Sequence, residues 1–185
     1  MNIGQPFLDE AVLQLRKLQA QAEKALAQLS DEGFFAVLDP EANSAALLVK
    51  HLAGNMRSRW TDFLTSDGEK PGRDRDGEFV IESGDTRASL MAAWDAGWRQ
   101  VFDAVSPLSP ADLGKTVRIR GEAHTVIQAI NRQALHYAAH VGQIVLLAKH
   151  YAGPAWQTLS IPRGQSREFN VSGPVTHRPV DGTRR

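Results

Sequence analysis

His136 and His140 stand four residues apart in a stretch that reads as helix, followed at once by Gly142-Gln143-Ile144, and a third histidine, His51, falls on another segment with helical spacing. An α-helix turns about 100° per residue, so positions i and i+4 lie ~40° apart, one turn above the other. Two imidazoles placed in this way can grip one ion. Neutral imidazole nitrogen is a ligand for zinc, nickel, copper and iron, and three protein ligands leave a position for water or substrate, as in working rather than closed structural sites. The pattern points to metal chemistry. Water bound to such an ion has its pKa lowered from about 15.7 towards 7, and a bound thiol ionises more readily still. Because free imidazole titrates near pH 6.5, protons are expected to compete with the ion below about pH 6.

Around these three residues the sequence places several polar side chains. Asn55 lies one turn after His51, Arg132 and Gln133 about one turn before His136, and Gln143 about one turn beyond His140, with Tyr137 between the pair. They suit the mouth or surroundings of a site, or a solvated helix face. No general base stands out, so no catalytic residue is assigned. His150 is almost three turns from His140, too far for the same ion, and it reads as a surface residue together with His124 and His177. Arg57 and Arg59 beside Trp60 could meet an anion but more commonly form a solvated face. Asp74-Arg75-Asp76-Gly77 echoes a calcium loop without its remaining ligands or closing glutamate. Trp94 and Trp98, at i and i+4 with Leu90 and Phe102, read as core.

The elements that must position the histidines follow from the spacing of apolar residues. Leu8, Val12, Leu15, Leu18, Ala22, Leu26 and Leu29 recur at three and four, predicting a first helix over Phe7 to Leu29. A short turn carries Phe34 and Phe35. Asn43 or Ser44 can cap a second helix whose stripe Leu47, Leu48, His51, Leu52, Met56, Trp60 and Phe63 includes the histidine. Thr65 to Ser83 is polar and rich in glycine and proline, so an exposed connection is expected there. Asp85 or Thr86 opens a third helix through Phe102, Ser109-Pro110 starts a short helical turn, and Lys115 to His124 allows at most a small hairpin turning at Gly121. Thr125 caps a fourth long helix that runs to about Tyr151, where Gly153-Pro154 stops it. The fold class expected is all-α, a four-helix bundle over residues 1–165, which builds metal sites in its core from facing helices. Residues 166–185 are expected to form a partly flexible tail.

Composition removes several other functions. The 185 residues carry 21 Lys plus Arg against 21 Asp plus Glu, so no broad positive field attracts nucleic acid. Cysteine is absent, leaving histidine and carboxylate as the strong metal ligands. The start Met1-Asn2-Ile3-Gly4-Gln5-Pro6-Phe7 has no basic or apolar leader pattern and no stretch is long enough for a membrane span, so a cytoplasmic protein without a membrane partner is expected.

The run His136-Tyr137-Ala138-Ala139-His140-Val141-Gly142-Gln143-Ile144 resembles the metal-binding helix of the DinB-like (YfiT-like) superfamily, whose first histidine lies on the second helix, as in Val49-Lys50-His51-Leu52. Lys50 to Phe63, with Gly68-Glu69-Lys70-Pro71 after it, resembles an uncharacterised subfamily of unknown function within that superfamily. The likeness runs from about Phe7 to Gln165. It implies a four-helix bundle in which His51, His136 and His140 hold zinc or nickel together with water, commonly in a homodimer. Characterised relatives include thiol-dependent S-transferases and isomerases that use low-molecular-weight thiols such as bacillithiol or mycothiol. The function this implies is a metal-dependent transferase or hydrolase that activates a thiol or water towards a small-molecule substrate. The alternative is a non-catalytic metal or small-ligand binding module in stress response, with the metal structural.

Overall fold

In a computed structural model the chain is described over residues 3–167. Helix α1 spans Gly4–Leu26 and buries Leu8, Leu15, Ala22 and Leu26, the stripe its spacing predicts. It stops three residues before Leu29, which remains buried. Ser30 then caps the short α2, Asp31–Phe35, its Oγ accepting from the Gly33 amide at 3.1 Å.

Helix α3, Ala45–Trp60, starts at Ser44 and not Asn43: the Ser44 Oγ accepts from the Leu47 amide at 3.1 Å. The helix ends at Trp60 although the apolar pattern continues to Phe63. Asp62 takes a left-handed φ of 49°, and its carbonyl accepts from the Thr65 and Ser66 amides at 3.0 and 2.9 Å, so the chain turns and returns Phe63 against Trp60 at 4.8 Å between ring centres.

Thr86 caps α4, Arg87–Val105, in a reciprocal pair with Ser89. Trp94 and Trp98 are buried core residues, 5.7 Å apart edge to face. A Cβ on Gly97 would lie 3.1 Å from the Met56 side chain, so this glycine lets α3 and α4 pack closely.

Before the last long helix, β1 (Thr116–Ile119) and β2 (Glu122–Thr125) pair antiparallel, with Thr116 opposite Thr125 and Ile119 opposite Glu122. The two-residue turn holds Arg120 and Gly121 at φ 56° and 79°, the doubly positive pair that a tight hairpin of this hand requires. Thr125, paired with Gln128, caps α5, Val126–Ala152, and Gly153 at φ 52° ends it.

The long helices α1, α3, α4 and α5 form an all-α bundle with the hairpin before α5. α3 packs chiefly on α4, α1 on α5, and α3 also lies against α5. Among the described residues, no helix is long and apolar enough to cross a membrane. Residues 168–185, including His177 and most of the expected tail, lie outside the described residues.

The connection between α3 and α4 departs from expectation. It is not simply an exposed loop, because a 3-10 turn at Gly77–Phe79 packs on α3 and buries Glu78.

Candidate metal centre

Helix α3 presents His51, Asn55 and Arg59 at intervals of four, and α5 presents Arg132, His136 and His140 at the same interval, so each helix contributes one stripe to a shared wall. Where the stripes meet, one nitrogen from each of His51, His136 and His140 lies within 4.8 Å of the others. The ring centres are 5.3 Å apart for His51 and His136, 5.0 Å for His51 and His140, and 4.6 Å for His136 and His140. An ion bonded at ~2.0–2.1 Å sets its nitrogens ~3.4 Å apart in a tetrahedron, a distance that side-chain rotation reaches from such an arrangement.

Hydrogen bonds select which nitrogen each ring offers. Glu78 Oε2 lies 2.9 Å from His51 Nδ1. The Arg73 guanidinium and His51 outweigh the effect of burial and hold the Glu78 carboxyl below its ordinary range, so Glu78 is ionised and the His51 Nδ1–H is the donor. Gln143 Oε1 likewise accepts from His140 Nδ1 at 2.8 Å. Nε2 is the nitrogen left free on both rings. Among the described residues His136 Nε2 is buried with no hydrogen-bond partner, a costly state for a polar atom unless a ligand takes its lone pair. That orphaned nitrogen, facing two more free imidazoles, fits a metal ion.

Electrostatics favour the ligating form. Burial, then the neighbouring His140 and His51 and the charges of Arg59 and Arg73, lower the His136 pKa to about 4. Burial also lowers that of His140, partly opposed by the bond to Gln143. Both rings are therefore neutral at pH 7, with lone pairs available.

Glu78 is itself fixed. Arg73 Nε donates to its Oε1 at 2.7 Å and Arg73 Nη2 to its Oε2 at 2.8 Å, a two-pronged pair. Behind them Glu69 accepts from Arg73 at 3.3 Å, Arg59 at 2.9 Å and Arg120 at 3.3 Å. A Cβ on Gly54 would fall 2.3 Å from Glu78 Oε1, so this glycine makes room for the carboxylate beside α3. Phe79, from the same turn, stacks on the His51 ring at 4.6 Å.

The histidines open onto a cleft of about 740 Å³ whose wall includes Asn55, Gln133 and five arginines. Asn55, Arg132 and Gln133 thus lie at the mouth or wall, as their spacing allowed. Tyr137 is buried behind the site, accepting from Trp60 Nε1 at 2.8 Å and donating to Asn55 Oδ1 at 3.3 Å. Arg59 is not on a solvated face: it is buried, with a bond to the Gly68 carbonyl as well as its pair with Glu69. Arg57 is exposed and lies outside this cleft. His150 is exposed, and His124 is half-buried on β2, where Arg132 Nη1 lies 3.2 Å from its Nε2. The Asp74 carboxylate accepts from the Gly77 amide at the start of the 3-10 turn, at 2.9 Å. Glu78 and Arg73 were the residues missed. Their only sequence signal is a glutamate directly before the single apolar cluster, Phe79-Val80-Ile81, of a charged connection.

Fold and site together define a helical-bundle protein with a three-histidine cluster that could hold a metal ion. The chain belongs to the family described as "Protein of unknown function (DUF1572)", which matches residues 2–165. No curated protein and no solved structure matches it.

Proposed function

We propose that this chain is a metal-binding protein of the DinB-like type in which His51, His136 and His140 ligate one divalent transition metal, zinc or nickel, for metal-dependent transfer or hydrolysis. The observation that carries the reading is the buried, unpartnered His136 Nε2 beside two imidazoles whose Nδ1 atoms are already committed. Held by three neutral imidazoles, such an ion supplies the charge that ionises a coordinated low-molecular-weight thiol or water near neutral pH. The chain's own residues keep His136 and His140 neutral, orient His51 and His140 through Glu78 and Gln143, and hold an open cleft for a small substrate beside them.

A second reading, a binding module without turnover, is favoured by one observation. Among the described residues lining the cleft there is no carboxylate to act as a free base, and Glu78 is committed to Arg73 and His51. A homodimer completes the proposal. Leu135 and Leu146, 72% and 62% exposed, share one side of α5 with the exposed Ala139 and Gly142, an apolar face that a second copy would cover.

Elemental analysis of tag-free protein tests the metal. About one divalent ion per chain is expected, and none in a His51→Ala, His136→Ala, His140→Ala variant. Unchanged metal content in that variant removes the assignment. Rates of holo, chelated and restored protein with thiols and with water as acceptors then separate the two readings, since turnover lost on chelation and regained on restoration marks an enzyme.

A further inference from the structure

The positive charge of this protein is unevenly placed. The whole chain is neutral, yet Arg59, Arg73, Arg75, Arg120 and Arg132 all line the one cleft that contains the histidines. Glu69 and Glu78 answer the charges of Arg59, Arg73 and Arg120 in part, leaving one positive charge among those five groups. Arg75 and Arg132 are exposed and, among the described residues, have no carboxylate within ion-pair distance, so each adds a positive charge that no ion pair answers. Their contacts are with rings: Arg75 lies 5.8 Å over Phe79, and Arg132 Nη1 lies 3.2 Å from His124 Nε2.

Such crowding of like charge is unfavourable unless something relieves it. The fold nevertheless maintains it. Arg120 occupies the left-handed position of the hairpin turn, and the Asp67 carboxylate fixes that turn by accepting from the Arg120 and Gly121 amides at 2.8 and 2.7 Å. Two further atoms in the wall lack partners among the described residues, the buried Arg59 Nε, a donor that an oxyanion can accept from, and Gln133 Oε1, an acceptor. With His136 Nε2 they make three of the four buried side-chain nitrogen and oxygen atoms without a hydrogen bond among the described residues.

We propose that the arginine-lined cleft binds the oxyanion group, carboxylate or phosphate, of a small-molecule ligand, with Arg75, Arg120 and Arg132 as the residues that select it. The inference rests on the reading of the cleft as the ligand site beside the metal, and gives that ligand its chemical class. Guanidinium groups suit this role because their planar N–H forks match the two oxygens of a carboxylate or phosphate. The cleft, at about 740 Å³, has the size of a small-molecule pocket.

Calorimetric titration of the full chain with inorganic phosphate, succinate and the neutral succinamide tests this, in zinc-loaded and chelated forms. Saturable binding of at least one oxyanion to both forms is expected, weakening with added salt, and none of succinamide. The preference between phosphate and succinate identifies the group. Arg75→Gln, Arg120→Gln and Arg132→Gln should each weaken binding about tenfold. Arg57→Gln, outside the cleft, should leave it unchanged. Arg75→Gln and Arg132→Gln break no ion pair, so they carry the test if the Arg120 variant folds poorly. Absence of saturable binding in either form overturns the proposal, as does binding only to the zinc form that is insensitive to the arginine variants. Oxyanion binding by a chain that takes up no zinc would defeat the metal reading and leave the arginine site standing.

Discussion

Glu78 Oε2 lies 2.9 Å from His51 Nδ1, and Gly54, three residues along the helix from His51, leaves the space that this carboxylate fills. A carboxylate in this position fixes the imidazole tautomer and raises its basicity as a ligand; removing such a partner typically costs about 10–100-fold in metal affinity. Glu78→Gln is expected to weaken zinc binding by that factor in a competition titration with a chromophoric chelator. It also leaves the buried Arg73 side chain with Glu69 as its remaining charged partner, so a lower melting temperature should accompany it. Gly54→Ala separates the two effects. It keeps every charge but forces the carboxylate aside, and should weaken zinc binding with a smaller loss of stability. Parent-like zinc affinity in Gly54→Ala would show that the position of Glu78 does not matter.

The acid limit of the site should lie below that of free imidazole. With its folded-state pKa near 4, His136 stays unprotonated where an unperturbed histidine is already charged, so metal occupancy should persist below pH 6. This moves the limit down from the one expected for ordinary imidazoles. In the metal-free chain the same shift has a stability consequence. Between about 6.5 and 4 the unfolded chain binds more protons at this position than the folded chain does, so folding stability falls as the pH drops through that window. Thermal melts of chelated protein should therefore lose stability from pH 7 to pH 4, and His136→Gln should flatten the slope. An equal slope in that variant would assign the acid sensitivity elsewhere.

Leu146 tests the dimer. Its side chain is exposed on the face of α5 shared with Leu135, Ala139 and Gly142, and it does not line the cleft. Leu146→Lys is expected to convert a dimer into a monomer in sedimentation equilibrium at micromolar concentration while leaving metal content unchanged. A parent chain that is monomeric under these conditions would count against the dimer itself.

Much of this architecture is written in short-range patterns. Ser44, Thr86 and Thr125 are capping residues whose side chains satisfy helix-end amides, and the recurrence of Leu8, Leu15, Ala22 and Leu26 marks a buried stripe, so the bundle and the starts of α3, α4 and α5 were legible, whereas α1 begins at Gly4, three residues before Phe7. The candidate histidines were legible because residues one turn apart must share a helix face. The Glu78 partner was not, since it reaches His51 across 27 positions through an irregular segment, where no period links sequence to placement. The end of α3 was hidden for a similar reason: Phe63 continues the apolar count, but a left-handed Asp62 brings it into the core by a turn. Arg59 is the reverse case, a charged residue whose ion pair with Glu69 lets it be buried where composition alone reads as solvent-facing.

Tyr137 ties the two ligand-bearing helices together just behind the site. Its hydroxyl accepts from Trp60 Nε1 at 2.8 Å and donates to Asn55 Oδ1 at 3.3 Å. Burial pushes the phenol pKa up, so the hydroxyl keeps the proton it donates. Tyr137→Phe removes a single oxygen and leaves the buried Trp60 N–H and the Asn55 carbonyl without this partner, a loss on the order of 1–3 kcal/mol. For a domain of this length each kcal/mol lowers the melting temperature by roughly 2–4 °C. The variant should therefore melt several degrees below the parent with an unchanged helical spectrum. Zinc affinity should change less than in Glu78→Gln, because no hydrogen bond joins the hydroxyl to an imidazole. A chain as stable as the parent would mean that Trp60 and Asn55 find other partners, and a loss of zinc binding equal to that in Glu78→Gln would make the hydroxyl part of the metal site.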